Sequence, residues 1–169
     1  MRRILWIIAF LAILPARAES ADATPWVPPG SALVVEALSL IGTPYRYSGE
    51  DPAGGFDCSG LMSFIFKDAL GEDIPHSAAQ LFHWGSTVDR QDLQAGDLLF
   101  FSTHHGRISH VALYIGNGQF VHAPNTGATV RIDRLDSSYW QRAFRGARRL
   151  VSENLALQLP EIPSRASLP

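Results

Sequence analysis

The chain has 169 residues, a length that suits one domain with a single hydrophobic core. Its 14 basic and 16 acidic side chains give a formal net charge of −2 at pH 7. Because nucleic acid binding needs a basic surface to neutralise phosphates, this balance argues against nucleic acid as a partner. The chain contains one cysteine, Cys58, which therefore cannot form a disulfide within the chain.

Residues 1–18 have the pattern of a signal peptide. A short basic start precedes an apolar run at 4–14, which is too short to span a bilayer as a stable helix. Ala16 and Ala18 supply the small residues of a cleavage site. Cleavage would leave 11 basic and 16 acidic side chains, a net charge of −5. We expect an exported protein, periplasmic or extracellular, with no stable membrane anchor; the alternative is an uncleaved anchor.

Two further segments flank the predicted domain. Residues 19–30 contain three prolines and are interpreted as a linker. Residues 152–169 also contain three prolines, and their alternating leucines suggest a loosely ordered tail or an extended arm. The domain is therefore expected to span 31–151.

The first half of this domain has helical periodicity. Apolar residues at 33–41 recur at helical spacing, with Ser31 as a plausible cap and Gly42 as a stop signal. A second helix is predicted at 58–71, where Gly71 is the stop, and a short third helix at 77–83. A loop rich in glycine and proline separates the first two helices.

Beyond residue 96 the period changes to two. Strands are predicted at 98–101, 111–115, 119–122, 129–132 and 146–151. Gly116-Asn117-Gly118 is a strong hairpin signal between the second and third of these strands. Helices followed by an antiparallel sheet predict an α+β fold, with the helices packed on one side of a mostly antiparallel sheet.

Cys58 stands where a polar loop becomes an apolar helix. A helix N-terminus is one of the few environments that lower a thiol pKa and favour the nucleophilic thiolate. The alternative is an inert, buried cysteine. The exported setting and the flanking residues favour a catalytic thiol.

A catalytic thiol needs a base, and histidine suits that role near neutral pH. Of the six histidines, His104 and His105 lie in a polar loop and are expected in solvent. His83 lies between aromatic residues and is expected to pack in the helical half. His110 and His122 lie in predicted strands, where the direction of a side chain is fixed.

The register of the hairpin decides whether His110 and His122 can cooperate. In a two-residue loop Gly116 would pair with Gln119, and the imidazoles would lie on opposite faces. In a three-residue loop Ile115 would pair with Gln119, and the imidazoles would be diagonal neighbours on one face. A bulge would have the same effect as the longer loop, and the sequence leaves these registers open.

Several motifs together resemble the NlpC family of bacterial cell-wall cysteine endopeptidases, which share a minimal papain-like fold. The matching motifs, in chain order, are GTPY (42–45), FDCSG (56–60), Ile74-Pro75, Gln80, GDLLF (96–100), SHVALYIG (109–116) and FVHA (120–123). Their common order and spacing carry the resemblance, which covers about residues 33–150.

The resemblance implies a catalytic set. Cys58 would be the nucleophile and His110 the base, while His122 would be the polar residue that orients His110. Cys58→Ser and His110→Ala are each expected to abolish hydrolysis and leave the fold intact, because neither residue is expected to fill the core. Cys58 is expected to be partly exposed at a helix N-terminus.

Further residues would contact the substrate or the oxyanion. Tyr45 matches the family tyrosine whose hydroxyl helps to hold the oxyanion. Asp57 and Ser59 match residues that line the substrate cleft, although Ser59 could equally be a helix cap. His76 stands where many members have arginine, which puts in doubt any contact of that arginine with the wall peptide.

The implied function is hydrolysis of peptidoglycan stem peptides at the bond between γ-D-glutamate and the diamino acid, through a thioester. We expect a monomer that needs no cofactor and no metal. Three alternatives stay open: an N-acetylmuramoyl-L-alanine amidase on the same fold, a non-catalytic cell-wall-binding domain, and a metal site formed by Cys58 and histidines. The last lacks the close ligand spacing of structural zinc sites.

Overall fold

The computed structural model describes residues 28–103 and 106–150. Helices precede most of the strands, and the strands of the main sheet pair antiparallel, so the α+β prediction is confirmed. No helix within these ranges has the length and apolar character to cross a membrane. The predicted signal peptide at 1–18 and tail at 152–169 lie outside the described residues.

The elements divide between a small hairpin and a six-stranded sheet. The helices are α1 (Pro29–Ser39), α2 (Cys58–Leu70), α3 (Ala78–Leu81) and α4 (Ser138–Ala143). The strands are β1 (Glu50–Asp51), β2 (Gly55–Phe56), β3 (Ser86–Val88), β4 (Leu98–Phe101), β5 (His110–Gly116), β6 (Gln119–His122), β7 (Arg131–Arg134) and β8 (Phe144–Arg149). Strands β1 and β2 form the hairpin, and the sheet has the order β3-β8-β4-β5-β6-β7.

Helix α1 begins earlier than predicted. Pro28 is its N-cap residue, and no side chain caps the helix. Pro29 suits the first turn because an N–H there would have no partner within the helix. Ser31 lies inside the helix, so the prediction that Ser31 is the cap is wrong, and the last residues assigned to the 19–30 linker belong to α1.

Cys58 is the first residue of α2, and a capping residue fixes each end of this helix. Asp57 is the N-cap, and its carboxylate accepts the N–H of Gly60 at 2.7 Å. Gly71 ends the helix in the left-handed conformation, with a φ of 73°. A side chain at Gly60 would overlap the carbonyl oxygen of Gly49, so the first turn of α2 packs directly against the loop before β1.

The centre of the main sheet is buried on both faces. Leu98 and Phe100 of β4 belong to a core that includes α1 and α2. Leu99 and Phe101 alternate with them and belong to a second core, which includes Trp140 of α4. The expectation that helices cover one side is therefore incomplete. Helix α4 was not predicted because six residues between two strands are too few to show a helical period.

The hairpin between β5 and β6 combines a short turn with a bulge. Its turn residues 117–118 have φ values of 53° and 72°. Gly116 pairs with Gln119, as in the two-residue loop. The register then shifts, so that Leu113 pairs with Val121, as in the three-residue loop. The bulge alternative is therefore correct, and His110 and His122 lie on one face of the sheet.

Candidate active site

Cys58 is the first residue of α2 and is partly exposed, as predicted. The backbone N–H of Val111 faces the thiol and acts to lower its pKa. Because Val111 follows His110 at the start of β5, the thiol lies against the point of the sheet from which that histidine projects. Helix α2 and strand β5 thus bring together residues that are far apart in the sequence.

The thiol is less acidic than its helix position suggested. Burial raises the pKa of Cys58, and the charge of Asp57 raises it further. The backbone N–H groups of Val111 and Ser59 lower it, but by less, so the net shift is upward. The expectation of a lowered thiol pKa is therefore wrong, because desolvation outweighs the helix N-terminus.

His110 and His122 form a buried pair. His110 is 4% exposed and His122 is 0% exposed, and His110 Nε2 lies 2.9 Å from His122 Nδ1. Burial lowers the pKa of His110 to about 3 and the pKa of His122 to about 4. Both imidazoles are therefore neutral at physiological pH, and the candidate site holds a neutral thiol and two neutral imidazoles.

His110 also contributes to packing. Its ring stacks on Trp140, with the centroids 5.7 Å apart, and lies 6.1 Å from the ring of Phe101. The expectation that His110 does not fill the core is therefore wrong. Rotation of the imidazole is restricted because aromatic rings surround it.

The sequence analysis did not identify Asp133, which lies beside His122. Asp133 Oδ2 is 3.1 Å from His122 Nε2, and Asp133 also contacts Arg131 and Trp140. The predicted strand stopped at residue 132, whereas β7 continues to Arg134. Extending that strand across from His122 would have placed this carboxylate near the site.

Tyr45 lies near the thiol. Burial raises the pKa of the Tyr45 hydroxyl, and the charges of Cys58 and Asp57 raise it further. The hydroxyl therefore stays protonated and can donate a hydrogen bond to a developing oxyanion. The backbone of Tyr45 is held by a hydrogen bond from its N–H to the carbonyl of Ala128, at 2.8 Å.

Asp57, Ser59 and His76 form one polar cluster at the start of α2. Asp57 Oδ1 accepts the Ser59 hydroxyl at 3.1 Å and lies 3.1 Å from His76 Nε2. Asp57 caps the helix, so the alternative that Ser59 is the cap is wrong. His76 Nδ1 lies 3.1 Å from Glu50 Oε2, which connects α2 to β1. Whether Asp57 and Ser59 also line the substrate cleft stays a prediction.

Three histidines contribute no contact to this cluster that the structure shows. His83 is exposed and meets only the edge of the Phe82 ring among its ring contacts in the described chain, so the expectation that it packs in the helical half is wrong. His104 and His105 lie outside the described residues. Within the described chain, therefore, His110 and His122 are joined to each other, and His76 lies beside Asp57 at the start of α2.

Residues 42–149 match the model of the NlpC/P60 family. The chain belongs to the NlpC/P60 family. Two solved structures support its papain-like fold. An NlpC/P60 family protein from Bacillus cereus is 35% identical, with a TM-score of 0.69, and the match covers 74% of this chain and 41% of that one. The NlpC/P60 domain of the peptidoglycan hydrolase SagA is 36% identical, with a TM-score of 0.63. That match covers 71% of this chain and 97% of the SagA domain.

Curated relatives include enzymes with named activities. Murein DD-endopeptidase MepH of Escherichia coli is 43% identical over 118 residues, which are 68% of this chain and 44% of MepH. Gamma-DL-glutamyl hydrolase of Bacillus subtilis is 39% identical over 155 residues, which are 90% of this chain and 36% of the hydrolase. This chain therefore spans less than half the length of these two relatives.

The raised thiol pKa predicts how Cys58 reacts with iodoacetamide. Only the thiolate is alkylated, so the rate should rise about tenfold per pH unit between about pH 6 and 8. Urea-unfolded protein is the control, because its thiol has the ordinary pKa. The midpoint of its curve of alkylation rate against pH should lie at lower pH than the midpoint of the native curve. A native rate that is already constant below about pH 7 would instead indicate a thiolate–imidazolium pair.

Proposed function

We propose that this protein is a cysteine peptidase that hydrolyses peptidoglycan stem peptides between γ-D-glutamate and the diamino acid. The observation that carries the proposal is the placement of Cys58 at the start of α2, against the strand that begins with His110. His122 would orient this base, because His122 Nδ1 lies 2.9 Å from His110 Nε2. Membership of the NlpC/P60 family supports the substrate class.

The proposed reaction uses the imidazole nitrogen that the histidine pair leaves available. His110 Nε2 faces His122, so Nδ1 takes the thiol proton. The thiolate attacks the carbonyl carbon, a C–S bond forms, and Tyr45 donates to the oxyanion. The C–N bond then breaks, and His110 gives its proton to the leaving amine.

The second half of the reaction regenerates the thiol. A water molecule enters, and His110 accepts one of its protons while the oxygen attacks the thioester. The C–S bond breaks, the carboxylic acid product leaves, and the proton returns from His110 to Cys58. These steps use side chains of the protein and water, and require no cofactor.

The proposed substrate implies a location outside the cytoplasm. Peptidoglycan is built outside the inner membrane, so we propose that the enzyme acts in the periplasm or the extracellular space. The signal-peptide pattern at 1–18 supports this location. Removal of that segment would also leave the acidic mature chain described above.

A second candidate reaction is favoured by one of the relatives. MepH is named a murein DD-endopeptidase, which is an activity on a bond between two D-configured centres. The same thiol and base could attack a cross-link of that kind, because the steps are identical for any accessible amide. The two candidates differ in the bond that enters the cleft.

The test is mass spectrometry of peptidoglycan fragments after incubation with wild type and with Cys58→Ala. We expect wild type to split uncross-linked stem peptides after γ-D-glutamate, and Cys58→Ala to leave them intact. Cleavage confined to cross-linked dimers, with stems of unchanged length, would support the DD activity instead. Release of whole stems from muramic acid would indicate an amidase. Binding of peptidoglycan by wild type without any cleavage would indicate a non-catalytic cell-wall-binding domain.

Substitutions of His122 test whether it orients the base. His122→Asn and His122→Gln should keep kcat within about tenfold of wild type, because an amide oxygen can accept the His110 Nε2–H. His122→Ala should lower kcat by about 10²-fold or more, because no acceptor remains. Initial rates on purified stem peptides provide the measurement. Equal activity of His122→Ala and wild type would show that His122 has only a structural role.

A further inference from the structure

We propose that Asp133 is a positioning residue that fixes the proton arrangement of both histidines and so leaves His110 Nδ1 free to accept the thiol proton. This inference rests on the proposed function, since it assigns a role within that same site. It concerns a residue outside the motifs quoted in the sequence analysis and outside the predicted catalytic set.

A pair of neutral histidines cannot by itself define a base. One hydrogen bond joins His110 Nε2 and His122 Nδ1, and the proton can be on either nitrogen. If it is on His110, Nδ1 of that ring is a free acceptor. If it is on His122, His110 must carry its own proton on Nδ1, where the ring cannot accept another from the thiol. A further group must therefore choose between the two arrangements.

Asp133 is a carboxylate surrounded by N–H donors. Arg131 donates from Nε to Oδ1 and from Nη2 to Oδ2, both at 3.1 Å. Trp140 donates from Nε1 to Oδ2 at 3.0 Å. Burial acts to raise the pKa of Asp133, but these donors and the nearby His122 outweigh it and hold the pKa below its usual value. Asp133 therefore stays ionised at neutral pH and can only accept.

This carboxylate determines the tautomer of His122. His122 Nε2 is buried, lacks a hydrogen bond within the described chain, and lies 3.1 Å from Asp133 Oδ2. A nitrogen lone pair at that distance from an anionic oxygen would be repelled, whereas an N–H is attracted. The same Oδ2 also accepts hydrogen bonds from Arg131 Nη2 and Trp140 Nε1. The proton of His122 therefore belongs on Nε2.

The remaining protons follow from this assignment. With its proton on Nε2, His122 presents the lone pair of Nδ1 to His110. His110 must then donate from Nε2 across the 2.9 Å contact, and its Nδ1 carries no proton. Each N–H in the series points toward Asp133, and His110 Nδ1 is the free acceptor at the far end of the series. Trp140 contacts the first and last residues of this series, because it donates a hydrogen bond to Asp133 and stacks on His110.

Asp133→Asn should disturb this arrangement without changing the size of the side chain. The amide places N–H groups among donors that need an acceptor, and an amide N–H facing His122 Nε2 favours the opposite tautomer in both rings. We expect kcat to fall about 10²-fold or more while KM stays within about threefold. Loss through KM alone, or unchanged kcat in a folded variant, would overturn the proposal.

Asp136→Asn is the matched control. Arg134 and Asp136 form an exposed ion pair with the same spacing as Arg131 and Asp133, and that pair has no contact with either histidine in the described chain. The control variant should keep wild-type kcat and KM. Circular dichroism and thermal melting of both variants should show folded protein.

Nitrogen-15 NMR of the imidazoles tests the tautomers directly, without substrate. In wild type at neutral pH, His110 and His122 should both show a protonated Nε2 and an unprotonated Nδ1; the opposite assignment would overturn the proposal, even if Asp133→Asn did not fold. In folded Asp133→Asn these signals should move toward the other tautomer, and in Asp136→Asn they should not. The proposed function fails separately, if Cys58→Ala still hydrolyses stem peptides.

Discussion

Cys58→Ala is expected to lower kcat/KM for stem peptides by about 10⁴-fold or more, and Cys58→Ser should do the same. Alanine cannot form the thioester, and a serine hydroxyl is a much weaker nucleophile beside a base whose pKa is about 3. The measurement is the rate of stem-peptide hydrolysis with purified protein.

The loss should be chemical rather than structural. Cys58 is partly exposed, so we expect the free energy of unfolding to change by only about 1 kcal/mol. Binding of intact peptidoglycan by Cys58→Ala should therefore persist. Hydrolysis by either variant at a rate close to wild type would mean that the nucleophile lies elsewhere.

His110→Ala is expected to lower kcat by about 10³- to 10⁴-fold, because the variant lacks the proposed acceptor of the thiol proton. It should also destabilise the fold, unlike the cysteine variants. His110 is 4% exposed and stacks on Trp140, so its removal leaves a cavity that costs about 2–3 kcal/mol. Rates should therefore be measured well below the melting temperature of the variant.

His83→Ala is the matched control for a histidine lost without consequence. His83 is exposed, follows α3 in the chain and belongs to neither α2 nor the main sheet. This variant should keep both wild-type kcat and wild-type stability. A folded His110→Ala protein with rates close to those of His83→Ala would contradict the assignment of His110 as the base.

The sequence predicted the features that depend on local patterns. The change from a polar loop to an apolar helix located Cys58, because capping and periodicity act over a few residues. The change of period located β4, β5 and β6 for the same reason. The sequence predicted the pairing of His110 with His122 only on condition of a particular hairpin register. The glycines around Asn117 permit either loop length, and packing sets the bulge that decides the register.

The features that the sequence did not predict depend on distant pairing or on burial. Asp133 reaches His122 through the pairing of β6 with β7, and the loop between these strands carries no signal for that register. The pKa of Cys58 depends on a balance between helix N–H groups and desolvation, and only the folded surroundings of the thiol decide that balance. Burial of His110 by α4 was missed together with that helix.

The two-faced sheet divides the proposed catalytic residues between separate cores. Cys58 packs with the core of α1 and α2, whereas the ring of His110 packs against Phe101 and Trp140 of the other core. Neither core alone can bring a nucleophile and an oriented base together. A chain that has folded only its first helices holds a thiol without a base. Hydrolysis by the proposed mechanism therefore requires both cores, and a chain that lacks either one is expected to be inactive.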